Sequence, residues 1–344
     1  MLLLLLAFSA WAKETQIVPP ESPDIRYVGR FTNDFRFGWT GSMVETDFNG
    51  TEISAIMDLV QGQKAALTVV IDGEETFVPI TSGQRIYPLA SELPSGKMHH
   101  IALFKRSEGC TGTLRFGGFE ASVDGSFASP LPRSRKILAI GDSITCGYGN
   151  EAATSKEGNT IENQNGYMSY AAIAARDLDA DLMMVCWSGK GLYRNLDRTN
   201  DRVAALPDLF EQTLPMSKDE TWNHHRFIPD VISINLGTND MGRLGNKEPL
   251  KQEDYERAYA KFITRLRSFA PNAKIIISIG PMTNEPVATW LPKIAAQFKN
   301  VSVLIYPPYA ERDESAGHGH PSVKKDLMMA RRLEGQIREM TGWE

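Results

Sequence analysis

Hydrophobic and polar residues follow two different rhythms along the 344-residue chain. From Ile25 to about Phe127 the rhythm is short and alternating. "RYVGRF", "FRFGWTGSMVETDF", "TEISAIMDLV", "AALTVVID", "ETFVPI", "HHIALFKR" and "TLRFGGFEA" are each bounded by Gly, Asn, Asp or Pro. Apolar alternation of this kind predicts half-buried strands, and Asp72-Gly73 inside "VIDGEETFV" predicts a tight hairpin. Strands at this spacing with no amphipathic helix between them point to an all-β jelly roll or sandwich over 25–128. The polar, Pro-rich residues 13–24 read as a leader arm, and "SPLPRSR" (129–135) reads as a linker.

Beyond it, over 136–344, the period changes. "KILAI" (136–140), "DLMMVCW" (181–187), "DVISINLG" (230–237), "AKIIISIG" (273–280) and "VSVLIYP" (301–307) are apolar runs suited to buried strands. Helical stretches separate them. In 254–270, Tyr255, Ala258, Tyr259, Phe262, Ile263 and Leu266 recur at intervals of three and four, the stripe of a helix lying on a sheet. Alternating strands and helices predict a parallel sheet with helices on both faces, a three-layer α/β/α domain.

Four polar, glycine-bearing turns fall just past strand ends in this second half. They are "GDSIT" (141–145), "SGKGLYRN" (188–195), "GTNDMG" (237–242) and "GHGHPS" (317–322). The C-terminal ends of parallel strands converge on one crevice, so these turns are expected to share it. Ser143 is then a candidate nucleophile and His320 its candidate base. Attack on a carbonyl creates an oxyanion, for which the Ser143 N–H, the Gly189 N–H and the Asn239 amide are candidate donors. Taken singly, each residue has a plainer role: Ser143 an N-cap, Gly189 a turn, Asn239 an Asx-turn, His320 an exposed histidine. Their occurrence together, each at a strand end, favours the catalytic reading.

"GDSITCGYGN", "GYMSYAAIAARDL", "SGKGLYRN", "INLGTND" and the late His-Pro resemble the four blocks of the SGNH (GDSL-type) hydrolase superfamily, within it carbohydrate esterase family 2. The resemblance covers nearly all of residues 25–344. It implies an N-terminal jelly roll joined to an SGNH domain, with Ser143, Gly189, Asn239 and His320 as the named residues and Asp142 as support for the serine loop. It also implies removal of acetyl groups from plant polysaccharide of the xylan or glucomannan type, with no metal and no cofactor.

The chain departs from that pattern around the histidine. Gly317 and His318 occupy the positions that often carry an orienting Asp. A Ser–His dyad whose imidazole leans on a main-chain carbonyl is the preferred expectation, with Asp313 or Glu314 as alternative orienters. Gly319 stands where the family often has a Trp, leaving Tyr148, Trp187 or Trp222 as candidate sugar contacts, although each also suits a core position. Two competing classes remain open. His318 and His320, with Asp313 or His224, have donor types that suit zinc in a metal-dependent hydrolase. A non-catalytic carbohydrate-binding protein is the other. His99, His100, His224 and His225 read as surface histidines.

Composition narrows the partners. A net charge of −5 and no Lys/Arg cluster give no electrostatic footing for nucleic acid. "MLLLLLAFSAWA" (1–12) resembles a signal peptide ending in A-x-A, and its lack of a basic start fits a truncated leader. It is too short to span a bilayer, so a secreted or periplasmic protein without membrane insertion is expected. Cys110, Cys146 and Cys186 form an odd set without C-x-x-C; buried free thiols are expected, with one disulfide open in an oxidising compartment.

Overall fold

The computed structural model describes residues 14–197, 204–242 and 248–344, so the expected leader peptide lies outside the described residues. The first hundred or so of them form a sandwich of two antiparallel sheets. One runs Thr15–Val18, Gly112–Ser122, Ile53–Gly62, Ile86–Ala90, with Arg36–Phe37 beside Gly112–Ser122. The other runs Ser126–Ala128, Met43–Asn49, His99–Lys105, Lys64–Ile71, Glu74–Thr81, with Arg26–Val28 on Met43–Asn49. Alternation does the folding: Ile53, Ala55 and Met57 turn inward to meet Phe37, Phe48, Leu103, Phe116 and Phe119. Asp72 and Gly73 both take positive φ, 52° and 93°, and close the expected hairpin between Ile71 and Glu74. The supposed leader arm is corrected in part: residues 15–18 are a paired edge strand.

The second domain is a five-stranded parallel sheet in the order Ala180–Cys186, Arg135–Gly141, Val231–Asn235, Lys274–Ile279, Val301–Ile305. Every residue of Ala180–Cys186 and Val231–Asn235 is buried, because helices cover both faces. Helices Tyr170–Asp177 and Val323–Thr341 pack on one face, and Gln252–Arg267 and Val287–Ala295 on the other. Chain order reverses between Arg135–Gly141 and Val231–Asn235, which splays their following loops apart and opens a crevice there.

The two domains share buried structure. Trp39 of the sandwich is fully buried in the core of the α/β domain, with Nε1 donating to the Gln212 carbonyl at 3.3 Å. The Arg30 guanidinium donates to the Phe210 and Gln212 carbonyls at 2.6 and 2.7 Å, among the rings of Trp39, Phe210 and Trp222. Burial lowers its pKa to about 9, Glu211 opposing. On the far side Arg26 and Arg133 each bridge Glu45 to Asp181. Burial works against ionisation of Glu45, but His100, Arg133 and Arg26 outweigh it and hold its pKa down to about 2.

The histidine and cysteine expectations change. His99 is buried between Asp72 and the Pro94 carbonyl, and His224 is buried on Glu211 between Phe210 and Phe269. Cys146 and Cys186 are disulfide-bonded, with Cα atoms 5.6 Å apart across 40 residues of sequence, leaving an exposed Cys110 free. Two strand-end segments brought side by side by the parallel register make that pairing, which spacing alone did not reveal. Among the described residues no helix is long and apolar enough to cross a membrane.

Truncating a buried Trp costs about 3–5 kcal/mol. Trp39→Ala is therefore expected to lower the denaturant midpoint of both domains together, read by tryptophan fluorescence and far-UV CD. A shift confined to the sandwich would contradict the shared core.

Candidate functional site

Strand Arg135–Gly141 ends in a turn so tight that a Cβ on Gly141 would lie 1.9 Å from Thr145 Oγ1. Asp142 caps the one-turn helix Ser143–Cys146, its Oδ1 accepting the Ile144 N–H at 3.0 Å. Oδ2 accepts from Asn239 Nδ2 at 3.1 Å, linking the serine turn to the loop after Val231–Asn235. Burial, with Asp240 and Glu108 nearby, pushes the Asp142 pKa up to about 7 against the Ile144 N–H. Ser143 is thereby seated in the crevice at the chain reversal.

His320 meets it there. Its Nε2 lies 2.8 Å from Ser143 Oγ and its Nδ1 3.0 Å from the Gly317 carbonyl. A carbonyl only accepts, so Nδ1 carries the proton and Nε2 presents its lone pair to the serine hydroxyl. Burial lowers the imidazole pKa to about 4, which keeps the ring neutral at neutral pH. The ring of Tyr148 stacks on it at 4.1 Å between centroids, while the Tyr148 hydroxyl meets His318 Nδ1 at 2.9 Å.

The donors for an oxyanion differ in state. The N–H groups of Ser143 and Gly189 have no partner among the described residues. Gly189 adopts φ +78°, which favours glycine, and the space above it is open. The Asn239 amide is engaged twice, by Asp142 and by the Lys190 carbonyl at 2.8 Å. Asp240 accepts the N–H groups of Leu192, Tyr193 and Arg194 at 2.8, 2.7 and 3.0 Å. That fixes the loop carrying Gly189. The disulfide does the same from below, joining the serine helix to the strand that leads into this loop.

Other candidates lie elsewhere. Asp313 is exposed and pairs with Lys324 at 2.9 Å; Glu314 is buried but paired with Lys325 at 2.6 Å, so neither orients His320. Trp222 is buried beneath Arg30 and is corrected from sugar contact to core. Trp187 is half-buried, edge-on to Trp39. Both ring nitrogens of His320 have protein partners, and His224 sits on Glu211, so the proposed zinc ligands do not converge. Local sequence carried no signal for the Tyr148–His318 pair or for Glu108, a sandwich residue that accepts the Ser188 N–H at 3.0 Å.

Residues 27–131 match the N-terminal domain of carbohydrate esterase 2, and residues 139–322 match the GDSL-like lipase/acylhydrolase family. The chain is 33% identical to the cellulase/esterase CelE of Acetivibrio thermocellus over 96% of its own length but only 41% of that protein's. It is 27% identical to an acetylxylan esterase/glucomannan deacetylase of Cellvibrio japonicus, covering 96% of the chain and 92% of the relative. A family two carbohydrate esterase from Clostridium thermocellum, solved with cellohexaose, superposes with TM-score 0.86 at 32% identity, covering 93% of this chain and 100% of that one. With its sandwich, its parallel sheet and its serine turn, the chain belongs to carbohydrate esterase family 2, within the GDSL-like hydrolases.

Proposed function

We propose that this chain is an exported acetylesterase that removes O-acetyl groups from plant polysaccharide of the xylan or glucomannan type. The observation that carries the reading is the line Ser143 Oγ, His320 Nε2–Nδ1, Gly317 carbonyl, together with the N–H groups of Ser143 and Gly189, which have no partner among the described residues. Ser143 attacks the acetyl carbonyl while His320 takes its proton, and the N–H groups of Ser143 and Gly189 receive the oxyanion. Asn239 supplies a third donor by giving up the Lys190 carbonyl. His320 then protonates the departing sugar hydroxyl and later activates the water that hydrolyses the acetyl-enzyme.

Substrate class rests on three supports. A side chain at Gly189 or at Gly319 would meet open space, which leaves room at those two turns for a polymer chain. One relative is an acetylxylan esterase/glucomannan deacetylase, and one structural neighbour was solved with a cello-oligosaccharide. Export is supported by the apolar start and by the disulfide, which persists in oxidising compartments.

Acetate release from 4-nitrophenyl acetate and acetylated xylan is expected to resist EDTA and to fall about 10⁴-fold or more in Ser143→Ala, without loss of fold. Release that survives the mutation but is lost to EDTA would overturn the serine mechanism. Asn239→Ala is expected to lower kcat by about 10²–10³; a kinetically silent variant would remove Asn239 from the oxyanion site. Because His320 must be neutral to accept a proton, kcat/KM is expected to hold down to pH 5 and fall as pH drops through about 4. An acid limb near 6.5 would show that the imidazole is not desolvated in the working enzyme.

A further inference from the structure

Glu108 belongs to the sandwich, on the loop that leaves strand His99–Lys105, yet its side chain ends inside the α/β domain. It is 1% exposed. Oε2 accepts the Ser188 N–H at 3.0 Å, one residue before Gly189, and Oε1 accepts from Asn159 Nδ2 at 3.4 Å. Its main chain is equally fixed. The Glu108 N–H donates to Gln164 Oε1 at 2.7 Å, and its carbonyl accepts from Lys105 Nζ at 3.0 Å and Thr111 Oγ1 at 2.8 Å. Asn159 passes the constraint on. Its Oδ1 accepts the Gly149 N–H at 2.9 Å, and the Gly149 carbonyl accepts the Gly317 N–H at 3.0 Å, beside the carbonyl that orients His320.

We propose that Glu108 is a positioning residue for ester hydrolysis, by which the sandwich aims the Gly189 N–H at the oxyanion. This rests on the esterase reading above. Gly189, at φ +78° and without a Cβ, places few steric limits on its flanking amide planes, and the Ser188 N–H is the anchor on the upstream side. The contact must be made without placing a negative charge beside a developing oxyanion. Burial raises the Glu108 pKa against the pull of Ser188 and Lys105, which weakens the preference for the charged carboxylate. Glutamine copies the shape without the charge and retains an acceptor, whereas aspartate falls one methylene short.

The test is kcat and KM for 4-nitrophenyl acetate on the full chain, counted per serine titrated with an organophosphonate. Glu108→Ala and Glu108→Asp are expected to lower kcat about tenfold or more with KM within about twofold, and Glu108→Gln to stay within about threefold of wild type. If Glu108→Ala does not fold, Glu108→Asp carries the comparison. Variants whose kcat per titrated serine matches wild type while only thermal stability falls would reduce Glu108 to a structural contact. So would a Gln variant no better than Asp. A wild type that releases no acetate would instead overturn the esterase reading, and this inference with it.

Discussion

The buried carboxylate of Asp142 is the interaction on which the site depends. It touches both sides of the chain reversal in the sheet, capping the serine helix with one oxygen and holding Asn239 with the other. Burying a carboxyl is costly unless its oxygens are satisfied. Here the donors are the Ile144 N–H, a fixed main-chain group, and the amide of Asn239 from the neighbouring loop, so the cost itself enforces the geometry. Asp240 repeats the device one residue beyond Asn239, collecting three successive N–H groups from the Gly189 loop. Two carboxylates thus fix three loops that no regular secondary structure could hold.

The histidine side is built differently. Where a third carboxylate would lend charge, the Gly317 carbonyl supplies only direction, selecting the tautomer with the lone pair on Nε2. A carbonyl dipole stabilises an imidazolium less than a full negative charge does. Burial therefore outweighs the Gly317 hydrogen bond in setting the basicity of His320, while Tyr148 stacks on the ring.

Much of this was legible in the sequence because it follows from periodicity. The change from alternating to strand–helix rhythm near residue 130 marked both layers, and parallel strands oblige the turns holding Ser143, Gly189, Asn239 and His320 to converge. What escaped was set by tertiary neighbours. Asp313 looked near enough to serve His320, but the turn over Arg312–Glu314 sends it to Lys324. His99 and His224 read as surface residues and are buried by ring stacking or ion pairs formed with other segments, and Trp222, a candidate sugar contact, is core beneath Arg30. Residues 15–18, polar and Pro-flanked, became a strand only because Phe119–Ser122 offered an edge. Glu108 carried no local mark of any kind.

Trp39 and Arg30 bear on how such a chain can be recombined. Residues 129–135 look like a convenient seam for exchanging one domain against another, as in modular enzymes assembled from independent parts. The physical seam is elsewhere: it runs through the core around Phe210 and Gln212, where side chains from both halves fill one space. A chimera cut at the linker would carry a cavity the size of an indole and a pair of orphaned carbonyls into its catalytic half. The portable unit is the pair, and any graft onto another scaffold has to take both domains together.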